Sequence, residues 1–121
     1  MSDLVAGEVA VVIGADEPAA RDLIDRLVSA SSRVALVGRD RAVLEEQAAR
    51  FQGRGSEAFA LTVECTDAAA VERLRTHVEQ RLGPIDLLVL VGLPRESRTV
   101  VTAAFEPDMT RRGTGRVEIL R

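Results

Sequence analysis

Few side chains in this sequence can do chemistry, and their types narrow the reactions open to it. The chain holds one histidine, His77, and one cysteine, Cys65; it has no Lys, Tyr, Trp or Asn, and all 16 of its basic residues are Arg. Mechanisms that need a phenol, an amine or a carboxamide from Asn are closed to these 121 residues acting alone. A lone His and a lone Cys cannot assemble a structural zinc site, so no metal is expected. His77 sits beside the apolar face of a helical segment, as an ordinary surface residue would, and Cys65, at a strand end, fits a small buried hydrophobe. No Walker-type loop and no Gly-x-Ser-x-Gly elbow occurs. What remains is the turn Gly14-Ala15-Asp16-Glu17-Pro18-Ala19-Ala20, which follows an apolar run and opens a helix. A helix start attracts phosphate through its free amides and the positive end of its dipole. Here two carboxylates stand at that place, and Pro18 brings a ring and no amide hydrogen. The expectation is a helix start capped by its own acids, Asp16 and Glu17, which repel an anionic ligand.

The elements that must position this turn are legible from periodicity. Apolar, β-rich runs at residues 8–13, 33–37, 58–63 and 85–91 alternate with helical segments, a pattern of βαβ units and a parallel sheet. The first and last of these runs are nearly continuous in apolar residues, as suits central strands covered on both faces. Ala20, Leu23, Ile24, Leu27 and Val28 share one side of the first helix, with Arg21, Asp22, Asp25 and Arg26 opposite. A second helix begins near Arg41, with Asp40 offered as its cap. A third begins after Thr66 and Asp67, which offer N-cap oxygens, and stops at Gly83-Pro84. Right-handed crossovers then give the strand order 3-2-1-4. Residues 116–120 could add a fifth strand, for an order of 3-2-1-4-5. Residues 99–105 fit a short helix or a strand, and their β-branched members favour strand. The whole reads as a single domain, 1–121, with a βαβ core over 8–92 and a shortened crossover and last strand over 93–121.

Taken in order and spacing, the stretches VAVVIGADEPAARDL, RVALVGRD, LTVECTD and GPIDLLVLVGL resemble the N-terminal half of a short-chain dehydrogenase/reductase, with a weaker echo in RGTGRVEIL. The resemblance implies an α/β fold, a doubly wound and mainly parallel Rossmann-like sheet of about five strands, in truncated form. It also implies a vestigial cofactor site. Gly14 survives from the family's TGxxxGxG turn, but Pro18 stands where a glycine lets the backbone approach the pyrophosphate, and Ala20 where another makes the helix–sheet contact. Arg39 matches the pattern that reads the 2′-phosphate of NADP, the bland alternative being a solvated Arg39 beside a capping Asp40. Glu64 takes the place of the acid that holds the adenine, with a longer reach. Gly92 lies in Leu90-Val91-Gly92-Leu93, which replaces the family's NNAG and carries no amide side chain. The family's mechanism uses Tyr, Lys, Ser and Asn, and three of those residue types are missing. No catalytic residue is assigned and no cofactor is expected, NADP(H) being the one the pattern would take.

The functional expectation is a non-catalytic module that acts through protein contacts or self-association. Its rival is an NADP(H)-binding oxidoreductase fragment that works with a partner chain supplying Tyr and Lys. If later elements of the fold are missing, apolar surface near the fourth and fifth strands would be left for a second copy to bury. Residues 99–105 would then make the contact or, equally, fold back over their own sheet. A net charge of −3 argues against nucleic acid, and the arginine-rich stretch 95–121 has only Phe105 for stacking. The apolar runs are too short for a membrane span, no export signal is visible, and one cysteine suits a reducing compartment. The expected location is cytoplasmic.

Overall fold

The two most continuously apolar runs make the centre of the sheet, because only there do both faces of a strand escape water. In the computed structural model, which describes residues 8–30, 32–52, 57–113 and 115–120, these are β1 (Val9–Ile13) and β4 (Leu87–Val91), and every residue of both is buried. Around them lie a 3-10 turn (Pro18–Ala20), α1 (Arg21–Ser29), β2 (Arg33–Gly38), α2 (Arg41–Ala49), β3 (Glu57–Thr62), α3 (Ala68–Leu82), α4 (Arg95–Arg112) and β5 (Arg116–Leu120). The strands pair in the order β3-β2-β1-β4-β5, all parallel, as the sequence predicts. Val11 sits between Ala35 of β2 and Leu88 of β4, which fixes the register of the centre.

Alternation along each strand sends its side chains to two separate cores. On one face Leu23, Ile24 and Leu27 of α1, Leu44 of α2 and Phe51 pack on Ala10, Val12, Leu36 and Val89. On the other, Val71, Leu74 and Val78 of α3 and Val101, Phe105 and Met109 of α4 pack on Val11, Val37, Leu88 and Leu90. Each fully buried side chain of this size contributes roughly 1.5–3 kcal/mol over leaving it exposed.

Residues 99–105 correct the strand preference. They lie inside α4, an 18-residue helix. Its buried residues are Ser97, Val101, Phe105 and Met109, a ladder at i, i+4, i+8 and i+12, while Thr99, Ala103 and Pro107 midway between them are exposed, a pattern that a helix gives and the period of two of a strand does not. Pro107 stands within the helix. Proline removes the hydrogen bond to the carbonyl four residues back, which belongs to Ala103, and that residue is exposed, where water can serve its oxygen. The segment folds back over its own sheet: Val101 is 0% and Phe105 1% exposed. The exposed large hydrophobic residue among those described is Ile119 on β5. No described helix is long and apolar enough to cross a membrane.

Candidate functional site

In open α/β sheets the crevice forms beyond the carboxyl ends of the strands where the strand order reverses, here between β1 and β4. The chain enters it at Gly14, whose φ is +94°, a backbone conformation suited to glycine. A Cβ there would collide with the Val91 carbonyl, lying 3.0 Å from its carbon and 3.2 Å from the Val91 Cβ. Gly14 is therefore required by the close approach of two strands, whatever binds above it.

The turn then uses most of its own amides. Gly14 N and Ala15 N both donate to Val37 O, at 2.8 and 3.0 Å, Glu17 N donates to Gly14 O at 2.9 Å, and Ala20 N donates to Glu17 O at 3.0 Å. Pro18 has none to give, which leaves those of Asp16 and Ala19. The two carboxylates do not do what the sequence suggests. The 3-10 turn has Glu17 as its N-cap residue but no side-chain cap, and α1 has none either, which corrects the expectation of a self-capped helix start.

Asp16 instead reaches across to the turn after β2. Its Oδ2 accepts from Arg39 N at 3.0 Å and from Asp40 N at 2.9 Å. The carboxylate lies against Gly38 so closely that a Cβ there would be 2.6 Å from Asp16 Cγ. Two converging amides beside a glycine make an anion seat of the kind backbone nests provide, and the chain's own carboxylate occupies it. Glu17 covers the other side of the crevice: its Cγ and Cδ lie 3.4 Å from where a Cβ on Gly92 would be, and Gly92 has a φ of +64°.

The remaining residues settle into local roles. Asp40 caps α2 by accepting from Val43 N at 3.3 Å, and Arg39 beside it is exposed. Asp67 caps α3 by accepting from Ala70 N at 3.1 Å, while the Thr66 hydroxyl donates to Glu64 at 2.9 Å. Gly14, Arg39, Glu64 and Gly92 do line one cavity, shared with Asp16, Glu17 and Cys65. Its volume is about 220 Å³, below the roughly 300–1,000 Å³ of ordinary small-molecule sites. The four residues named from the sequence lie around one crevice, and Asp16, expected there as a helix cap, fills it through the Arg39 and Asp40 amides instead. Among the described residues no group of three or more His, Cys, Asp or Glu side chains is placed to hold a metal ion.

Cys65 is half-buried and packs against the α3–α4 core. Burial pushes its thiol above the ordinary range, the Glu64 carboxylate pushes it the same way, and the Arg39 guanidinium offsets part of this. Since the thiolate is the reactive form, iodoacetamide labelling at neutral pH is expected to run several-fold slower than for glutathione, as followed by mass spectrometry. Glu64→Gln should speed it and Arg39→Ala slow it further; a rate equal to that of glutathione would contradict this.

Comparisons with known proteins agree with the architecture. A family model described as short chain dehydrogenase matches residues 8–105. The (2S)-[(R)-hydroxy(phenyl)methyl]succinyl-CoA dehydrogenase subunit BbsC of Thauera aromatica is 28% identical over 109 residues, 85% of this chain and 44% of that protein. Among solved structures, NAD+-bound xylitol dehydrogenase superposes with a TM-score of 0.84 at 21% identity, over 98% of this chain and 54% of the other. An alcohol dehydrogenase from the archaeon Thermococcus sibiricus, complexed with 5-hydroxy-NADP, gives 0.79 at 23%, over 93% and 57%. At those identities the structures speak for the fold alone, and this chain spans 44% of the Thauera aromatica protein and 54% and 57% of these two structures.

Proposed function

We propose that this chain, which belongs to the short-chain dehydrogenase family, is a module of that fold that performs no reduction itself and acts through contacts with another protein chain, a second copy of itself being one such partner. The observation that carries the reading is the occupation of the crevice by Asp16 and Glu17. An incoming dinucleotide would have to displace the Asp16 carboxylate from two amide hydrogen bonds and pass beside the Glu17 carboxylate over Gly92. At about 5 Å and an effective dielectric near 20, each phosphate–carboxylate pair costs roughly 3 kcal/mol before screening. The chain also lacks the Tyr and Lys that would relay a proton to a substrate carbonyl. The name of the Thauera aromatica relative describes a dehydrogenase subunit, which supports work in company with another chain.

That same name favours one rival, an NADP(H)-binding fragment completed by a partner, with Arg39 on the 2′-phosphate and the Ala19 amide toward a pyrophosphate oxygen. Titration of the purified chain with NADPH, followed by nucleotide fluorescence and melting temperature, separates the two. No saturable binding through the micromolar range is expected; saturation there would replace the first reading with the second.

A further inference from the structure

The sheet has an open edge at β3, whose C-terminal end adjoins the crevice at Val63 and Glu64. Among the described residues β3 pairs with β2 alone. Val63, just past its end, donates to Gly38 O at 3.4 Å. In a parallel ladder the backbone groups of alternate residues face opposite sides, so Phe59 and Leu61 turn theirs to β2, while Ala58, Ala60 and Thr62 turn theirs outward. The small side chains of the two alanines leave that backbone approachable. Next to this edge, α3 carries Arg73, His77 and Arg81 at i, i+4, i+8, which places them in one row. All three are exposed. His77 stacks on the Phe59 ring at 5.5 Å between centroids, and the Arg81 guanidinium sits 4.2 Å from the centre of the same ring. The α3 acids Glu72 and Glu79 are committed to Arg75, so they do not neutralise the row. Between row and strand runs a groove of about 340 Å³ with Leu61, Val63, Ala70 and Leu74 along it.

We propose that the open edge of β3, with the α3 row Arg73, His77 and Arg81, is a docking site for an extended acidic segment of a partner protein, which adds to the sheet as a further strand. The outward amides and carbonyls of β3 fit a peptide backbone, and strand addition draws its affinity from those bonds and its specificity from alternate side chains. Alternate side chains of the added strand fall on the α3 side, where they meet the cationic row, and the others on the opposite face, which selects Asp or Glu alternating with apolar residues. The carboxylates Glu57 and Glu64 flank β3 at its two ends, so the partner's acids belong over its middle. A phosphate backbone would use the cations but leave the strand edge unmatched, which is why a peptide is favoured over a nucleic acid. The inference rests on the protein-contact reading above and names the chemistry of the partner.

The test uses the full chain and a fluorescein-labelled peptide alternating Glu and Val, matched to the six residues of β3, followed by anisotropy. Saturable binding is expected, weakened about tenfold or more by the double reversal Arg73→Glu with Arg81→Glu, and absent for a Lys–Val peptide. Ala60→Pro removes an outward donor without touching the β2 ladder and should abolish binding. Should that variant fold poorly, hydrogen exchange on the unaltered chain decides: the peptide must slow the amides of Ala58, Ala60 and Thr62. Binding indifferent to the charge reversal, protection elsewhere, or an oligonucleotide that binds the row without protecting β3 would overturn the proposal. A null result here, with NADPH also failing to bind, would remove this docking site and leave the broader reading standing.

Discussion

Replacing Gly14 with alanine is expected to cost about 3–4 kcal/mol of stability, two penalties adding at one position. The first is conformational: a side chain at φ +94° is strained, since the carbonyl crowds Cβ in that region. The second is steric, because the new methyl would have to push Val91 aside, and Val91 is a fully buried member of β4, tied on its other side to Leu120. A central strand cannot slide without disturbing both cores, so there is no inexpensive relaxation. For a domain of this size the loss should lower the melting temperature by roughly 10–15 °C, read by circular dichroism or calorimetry. A drop of only a few degrees would show that the two strands do not need so close an approach. The result bears on function, because it separates the glycine's structural duty from nucleotide binding.

How far the sequence carries can be judged residue by residue. β1 and β4 were legible because uninterrupted aliphatic runs have no other stable placement in a small domain, and α1 because its charged and apolar residues alternate at helical spacing. Asp40 and Asp67 were legible as caps because N-capping is a contact between near neighbours. α4 was harder. Val100, Val101 and Thr102 look like strand when only local preference is counted, and Pro107 looks like a boundary. The decisive signal was the four-residue spacing of Ser97, Val101, Phe105 and Met109, which needs a window longer than the β-branched cluster. The crevice was half legible: Pro18 and the adjacent acids announce that the turn has changed, while their direction is decided by tertiary contact. Asp16 finds its partners 23 and 24 residues away, and no pattern within the turn itself reports that. The one trace is Gly38, at the end of a strand whose other members all have side chains.

That trace can be tested by a double-mutant cycle between Asp16 and Gly38. Asp16→Ala removes a carboxylate that accepts two backbone bonds at 2.9 and 3.0 Å; on an exposed turn water replaces part of this, and a loss of about 1–2 kcal/mol is expected. Gly38→Ala should cost a similar amount by another route. Gly38 is not held at a positive φ, so its backbone accepts alanine, but the methyl would lie 2.6 Å from Asp16 Cγ and must expel the carboxylate from the amides it holds. Both substitutions therefore lose the same interaction. Once Asp16 is alanine, adding the second methyl meets no carboxylate and should cost little more. The double variant is expected to fall about 1–2 kcal/mol short of the sum of the singles, a coupling typical of groups in direct contact. Asp16→Asn, which keeps an acceptor oxygen without the charge, should lie between wild type and Asp16→Ala, since hydrogen bonds to a charged acceptor are the stronger ones. Chemical denaturation of the four proteins measures the cycle. Additive losses would mean that the carboxylate does not occupy the seat in solution, and the crevice would then be open to an anion from outside.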